Sequence, residues 1–203
     1  MKIICIGRNY AEHAKELGND LPESPVIFLK PDTALLKNNA DFYYPSFSDN
    51  IQYETEIVIR INKEGKNIQE KFAHKYYNQI GIGIDFTARD IQQTLKSKGL
   101  PWEKAKAFNH SAPISSFVEV KEYDDIQALN FSLYCNDTLV QKGNTAQMIF
   151  NINYLISYIS SFILLKTGDL IFTGTPAGVG SIKVGDRLKA CIEEQEMLNF
   201  EVK

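Results

Sequence analysis

YETEIVIRI, Tyr53–Ile61, places an aromatic or β-branched residue at every second position and two glutamates between them. Side chains alternate between the faces of a strand. Tyr53, Thr55, Ile57, Ile59 and Ile61 therefore form one apolar stripe, and Glu54, Glu56, Val58 and Arg60 point the other way. Two readings account for the like-charged neighbours. One is a half-exposed antiparallel strand whose polar face is in water. The other is a metal site: carboxylates on one strand face, with Cα atoms about 6.5 Å apart from the rise per residue, can converge on a hard cation that cancels their repulsion. A third ligand decides between them.

Outward from this strand the chain alternates short apolar runs with turn signals. IICI (3–6) and VIFL (26–29) read as short buried strands, the second ending at Lys30-Pro31. Between them NYAEHAKELGN (9–19) reads as a helix capped by Asn9 and stopped by Gly18, with Tyr10, Ala14 and Leu17 turned inward. After the polar turn Asn62–Gly65 comes QIGIGIDF (79–86), an apolar run that ends in an acid. TARDIQQTLKSKG (87–99) follows as a helix, with Thr87 and Asp90 resembling a capping box and Gly99 its stop. NFSLYC, DLIFTG, DRLKACIE and MLNFEV read as further strands. The expected fold is α+β: β-rich, with about three helices and no regular βαβ repeat.

The 203 residues, 44% of them hydrophobic, suffice for one substantial domain spanning 1–203, with no repeat or linker to divide it. A net charge of −3 and a pI near 5.7 leave no basic stripe for phosphate backbones, so nucleic acid is not an expected partner. Cys5, Cys135 and Cys191 are odd in number and lack CxxC spacing, which fits a reducing cytoplasm better than a disulfide framework or a zinc knuckle. The apolar start MKIICIGRNY is too short for a signal peptide before Arg8 intervenes. MIFNINYLISYISSFILL (148–165) approaches membrane-spanning length. Its interspersed Asn and Ser, and the helical recurrence of Ile152, Leu155, Ile156, Ile159 and Ile163, point instead to a buried helix of a non-membrane protein that ends at KTGD, with Gly168 as the stop.

Asp85 supplies the third acid. It ends an apolar run, where an ionised carboxylate needs a partner to offset its desolvation; the simpler alternative is a helix-start acid. With Glu54 and Glu56 it makes an all-oxygen set suited to Mg²⁺, Mn²⁺ or Ca²⁺, with positions left for water or substrate. His13 and Glu16 lie three residues apart on the first helix, so they can meet, either as a surface ion pair or as a histidine whose tautomer is held by a carboxylate. Lys30, Arg89 and Lys106 are cationic candidates near element ends. FTGTPAGVG (172–180) reads as a tight turn or as a loop that presents N–H groups to an anion, without the lysine of a phosphate-binding loop.

GRNYAEHAKEL, PVIFLKP, YETEIVI, GIDFTARDIQ, GLPWEKAKAFNHSAPIS and LIFTGTPAGVG, in this order, resemble the fumarylacetoacetate hydrolase family in its short acylpyruvate hydrolase and oxaloacetate decarboxylase type. The resemblance implies a mixed β-sandwich roll with peripheral helices and a homodimer. It puts the metal carboxylates on Glu54, Glu56 and Asp85, with Mg²⁺ as the cofactor, and the catalytic dyad on His13 and Glu16. The site lysine falls on Lys106, substrate or water contacts on Arg89 and Gln92, and further site positions on Lys30, Gly174, Thr175 and Arg8. The implied substrate is a small 2-oxo acid, cleaved between C3 and C4, decarboxylated or tautomerised through one enolate. Isomerisation of ring-opened aromatic catabolites and an idle small-acid-binding member are the alternatives. Long fumarylacetoacetate-cleaving members carry an extra N-terminal domain and an extra upstream acidic ligand, neither found here, so fumarylacetoacetate itself is not the expected substrate.

Overall fold

The computed structural model describes residues 1–16, 18 and 20–203. The chain runs through β1 (Ile3–Gly7), α1 (Ala11–Glu16), β2 (Val26–Lys30), β3 (Leu35–Leu36), β4 (Ile51–Tyr53), β5 (Thr55–Ile61), β6 (Tyr77–Ile84), β7 (Thr87–Ala88), α2 (Arg89–Ser97) and the single turn α3 (Glu103–Lys106). It continues with β8 (Ala112–Pro113), β9 (Val118–Glu119), β10 (Asn130–Cys135), β11 (Thr138–Asn144), α4 (Ile152–Phe162), β12 (Leu170–Phe172), β13 (Gly180–Ser181), β14 (Arg187–Ile192) and β15 (Gln195–Glu201). Six strands form the main sheet in the order β2-β1-β12-β5-β6-β9, and four form a second in the order β11-β10-β14-β15. Short ladders β13-β4-β7 and β3-β8 complete an α+β fold with peripheral helices, as expected.

Tyr53–Ile61 is divided at Glu54: Tyr53 belongs to β4 in a small ladder, and β5 crosses the main sheet. Register sets Ile4, Ile171 and Ile59 in one row across β1, β12 and β5, and Cys5, Phe172 and Val58 in the next. The pleat turns the two rows to opposite faces. Ile4 and Ile59 enter the larger core, where β10, β14 and β15 pack on β5 and β6. Cys5, Val58 and Phe172 enter a second cluster with Ala112 and Ile114. Every residue of β5 except Arg60 is buried, so the half-exposed strand is excluded. Its alternation separates two interiors, and each of Ile57, Ile59 and Ile61 contributes about 2 kcal/mol by burial.

Asn9 does not cap α1. Its Nδ2 donates to Phe150 O at 3.0 Å and Thr173 O at 2.8 Å, and its Oδ1 accepts from Phe150 N at 2.8 Å. A fully buried amide thus ties the end of β1 to two distant segments. Tyr10 and Ala14 are buried as expected; Leu17 lies outside the described residues. VIFL is not a buried strand: β2 is an edge, with Val26–Phe28 half-buried and Leu29 exposed. Nor do Thr87 and Asp90 form a capping box. Thr87 sits in β7, and the Asp90 carboxylate takes the N–H groups of Asp49 and Ile91 and the Ser48 hydroxyl, because the 48–50 loop reaches the start of α2.

α4 is capped by Asn151, whose side chain accepts from Tyr154 N at 2.8 Å. Ile152, Leu155, Ile156 and Ile159 are buried, and Ile163 follows in extended backbone. The helix therefore ends well before Gly168, which takes φ +90° in the turn to β12. Among the described residues no helix is long and apolar enough to cross a membrane.

Asn9→Ala would leave the Phe150 N–H and the Thr173 carbonyl buried without their partner. The expected loss is about 3 kcal/mol, from the cost of orphaned buried groups. Urea denaturation should show a lower midpoint at unchanged slope; a wild-type midpoint would mean the brace is dispensable.

Candidate active site

The ladder that joins β5 to β6 pairs Thr55 with Ile84 and Glu56 with Gly83, and Asp85 N donates to Glu54 O at 2.8 Å. Backbone register thus delivers the third acid to the first two. Glu54, Glu56 and Asp85 are all buried, and one oxygen from each lies within 4.8 Å of the others.

Three cations answer this charge. Lys106, the last residue of α3, sets Nζ 2.7 Å from both Glu54 Oε2 and Asp85 Oδ2. Arg89, the first of α2, reaches Glu54 Oε1 at 2.5 Å, and its remaining nitrogens go to Gln92 Oε1 at 2.6 Å and Gln52 Oε1 at 2.7 Å. Lys30 brings Nζ 2.8 Å from Asp85 Oδ1 and donates to Phe86 O, Lys106 O and Ser111. Burial opposes ionisation of Glu54, but Lys106 and Arg89 outweigh it and hold its carboxyl below the ordinary range. Glu56 goes the other way. Burial and repulsion from Asp85 push its pKa well up, against one opposing hydrogen bond from Gly174 N at 2.6 Å.

The residues present fit a divalent cation. Among the described residues Glu56 has no cationic side chain paired with it. Asp85 Oδ1 is within ion-pair distance of Lys30, yet no N–H points at it in hydrogen-bonding geometry. Convergent buried carboxylates with an undonated oxygen, and no histidine or cysteine in the group, are a donor set for Mg²⁺, Mn²⁺ or Ca²⁺.

His13 is buried, with Nδ1 3.2 Å from Glu16 Oε2. The two Glu16 oxygens accept from Gly178 N at 3.1 and 3.2 Å. The FTGTPAGVG loop therefore does present N–H groups to anions, and these are the chain's own carboxylates, Glu56 and Glu16. Gly174 has φ +101°, and a Cβ there would stand 2.6 Å from Asn9 Cβ, so glycine is required by close approach. Thr175 Oγ1 accepts from Gln141 Nε2 at 2.9 Å, and Gln141 Oε1 accepts from Thr55 N at 2.9 Å.

His13, Glu54, Arg89, Gln92, Lys106 and Thr175 line one pocket with a free volume of about 40 Å³, and Arg8 stands at it as well. Lys30 and Gly174 lie behind it, propping Asp85 and Glu56. Gln52, Gln141 and Ser111 escape sequence reasoning, as do Lys96 and Trp102 of the pocket wall. None of them carries a local signal: Gln141 lies on β11, and its partners Thr55 and Thr175 are distant in the chain.

The family model described as fumarylacetoacetate (FAA) hydrolase C-terminal matches residues 2–203. Oxaloacetate tautomerase FAHD1, mitochondrial, of Mus musculus is 43% identical over 201 residues, covering 99% of this chain and 91% of that protein. Oxaloacetate decarboxylase, mitochondrial, of Dictyostelium discoideum is 44% identical over 194 residues, covering 94% and 88%. The crystal structure of fumarylpyruvate hydrolase from Pseudomonas aeruginosa in complex with Mn²⁺ and pyruvate superposes with a TM-score of 0.95 at 35% identity, covering 100% of this chain and 89% of that one.

Lys106→Met would strip Glu54 and Asp85 of their shared counter-charge. Metal-free, the variant should be less stable by about 3 kcal/mol, as for a broken buried pair. Mg²⁺ or Mn²⁺ should then raise its unfolding midpoint more than that of the wild type, since the metal replaces the missing charge. In the wild type, metal at about a hundred times its dissociation constant adds about 2.7 kcal/mol. Calorimetric melts with metal and with chelator measure both; no metal-induced shift in either protein would remove the site.

Proposed function

The chain belongs to the fumarylacetoacetate hydrolase family, and from that premise we propose a divalent-metal-dependent enzyme of small 2-oxo acids, with keto–enol tautomerisation of oxaloacetate as its first activity. One observation carries this: His13, paired with Glu16, lines one pocket with Lys106, Arg89 and Glu54, and Glu54 is the member at the pocket wall of a convergent carboxylate triad. When bound, a cation held by Glu54, Glu56 and Asp85 supplies a Lewis acid for the carboxylate and 2-oxo oxygens and for the charge that develops on the latter.

The chain's own groups do the rest. Glu16 accepts from Nδ1 of His13, leaving Nε2 to take a proton from C3 and return it. Lys106 and Arg89 favour a bound carboxylate, and Gln92, fixed by Arg89, orients a substrate oxygen or water. Tautomerisation needs only this proton transfer, and the tautomerase name borne by the mouse relative supports placing it first. Cleavage between C3 and C4 is the second reading, supported by the neighbour crystallised with Mn²⁺ and pyruvate. There His13 would activate water against C4 of an acylpyruvate, and the electrons of the broken C3–C4 bond would pass to the enolate of pyruvate, which then takes a proton at C3. Loss of carbon dioxide from oxaloacetate gives that enolate without a water nucleophile.

The proposal includes a homodimer in a reducing compartment. Free Cys5, Cys135 and Cys191 support the compartment. A column of rings, Phe150, Tyr154, Tyr158 and Phe162, with Phe162 65% exposed, supports self-association. Sedimentation should give a dimer at micromolar concentration; a monomer there would overturn that part.

The activity itself is checked by following enol-oxaloacetate absorbance with Mg²⁺ or Mn²⁺ and with chelator. His13→Ala should slow tautomerisation by about 10²–10⁴-fold, the range for lost acid–base catalysis, with metal binding retained. Glu16→Gln should lose less, because it orients His13 and takes no proton. A metal-loaded wild type no faster than buffer would sink the proposal.

A further inference from the structure

Arg8 combines three features that the triad and the His13–Glu16 pair leave unexplained. Its backbone has φ +68°, a left-handed conformation that a residue with a Cβ adopts only where its surroundings impose it. Its guanidinium, half-buried at the pocket, makes no hydrogen bond or ion pair among the described residues. And it stands beside other cations.

The surroundings that impose the conformation are fixed on both sides. Gly7 is locked by its pairing with Val26 at the end of the β1–β2 ladder, and Asn9 is held by its three buried hydrogen bonds. A turn between these points could be made without strain by glycine. The chain carries arginine instead, so the side chain is what the strained position serves.

The local charge says what that side chain is for. Lys96 also lines the pocket, and burial together with repulsion from Arg8 and Arg89 lowers its ammonium pKa. Glu54, the one carboxylate at the pocket wall among the described residues, has both oxygens engaged by Arg89 and Lys106. Arg8 therefore meets no counter-charge among the described residues, next to the proposed seat of the 2-oxo acid head. A planar guanidinium with open donors matches a carboxylate in both charge and geometry.

We propose that Arg8 forms a subsite for the second carboxylate of a dicarboxylic 2-oxo acid, the one remote from the 2-oxo group. This rests on reading the pocket as a 2-oxo acid site, and it deepens that reading: Arg8 sets a preference for dicarboxylates such as oxaloacetate over acids with a neutral tail.

Arg8→Gly tests it without straining the fold, since glycine accepts the left-handed backbone freely. Its thermal midpoint should not fall below wild type. In the Mn²⁺-loaded protein, calorimetric affinities for oxaloacetate and for pyruvate, which lacks the remote carboxylate, are compared. The preference for oxaloacetate should shrink about 10-fold to 100-fold, as for a lost charge-assisted hydrogen bond. The KM for oxaloacetate should rise more than kcat falls, and Arg8→Lys should retain part of the preference. A preference unchanged in Arg8→Gly, or both acids weakened equally, would overturn the subsite. If the wild type binds neither acid, the 2-oxo acid reading fails instead, which separates the two failures.

Discussion

Holding Glu54, Glu56 and Asp85 within 4.8 Å of one another inside the protein is unfavourable twice over, by desolvation and by mutual repulsion. No packing contact offsets such a cost; only opposite charge at close range does. Lys106, Arg89 and Lys30 supply it from three different elements, α3, α2 and β2. Lys106 bridges two of the acids, so its attraction is stronger than a single pair would give, and its own ammonium is held above the ordinary lysine range against the effect of burial. Much of the local architecture follows from these pairings. The turn of α3 ends where Lys106 can reach inward, α2 begins on Arg89, and β2 closes on Lys30.

Neutral groups then hold the cations in place. Gln52 and Gln92 take two of the Arg89 nitrogens, and the carbonyls of Phe86, Lys106 and Ser111 surround Lys30. The loop after β12 performs a similar service for the anions, one amide on Glu56 and another on Glu16. The acids of the triad and the partner of His13 therefore share a single support. A displacement of that loop would be felt by both halves of the site together.

The sequence made the acids legible and their surroundings much less so. A period of two in Tyr53–Ile61 marks a strand because pleating is local, and an acid at the end of an apolar run marks Asp85 for the same reason. What covers each face is not local. The side of β5 that carries Glu56 reads as solvent-facing until Cys5 and Phe172 are known to be its neighbours across the sheet. Asn9 illustrates the same limit: a helix cap and a buried brace use the same amide, and its partners lie 141 and 164 residues away. Gln141, whose partner Thr55 is 86 residues distant, is invisible on the same ground. Lys30 misleads in the opposite direction, since a lysine closing an edge strand normally points to water.

That edge strand has a dynamic consequence. An outer strand with exposed Leu29 and half-buried neighbours is the part of a sheet that ordinarily frays first, opening its amides to solvent exchange at little cost. Here fraying would draw the Lys30 ammonium out of a fully enclosed position and abandon Asp85. The last turn of β2 is thereby anchored electrostatically, and the strand least protected by packing becomes inseparable from the cooperative unit that contains the triad. Local opening on this side of the sheet is replaced by an all-or-none event.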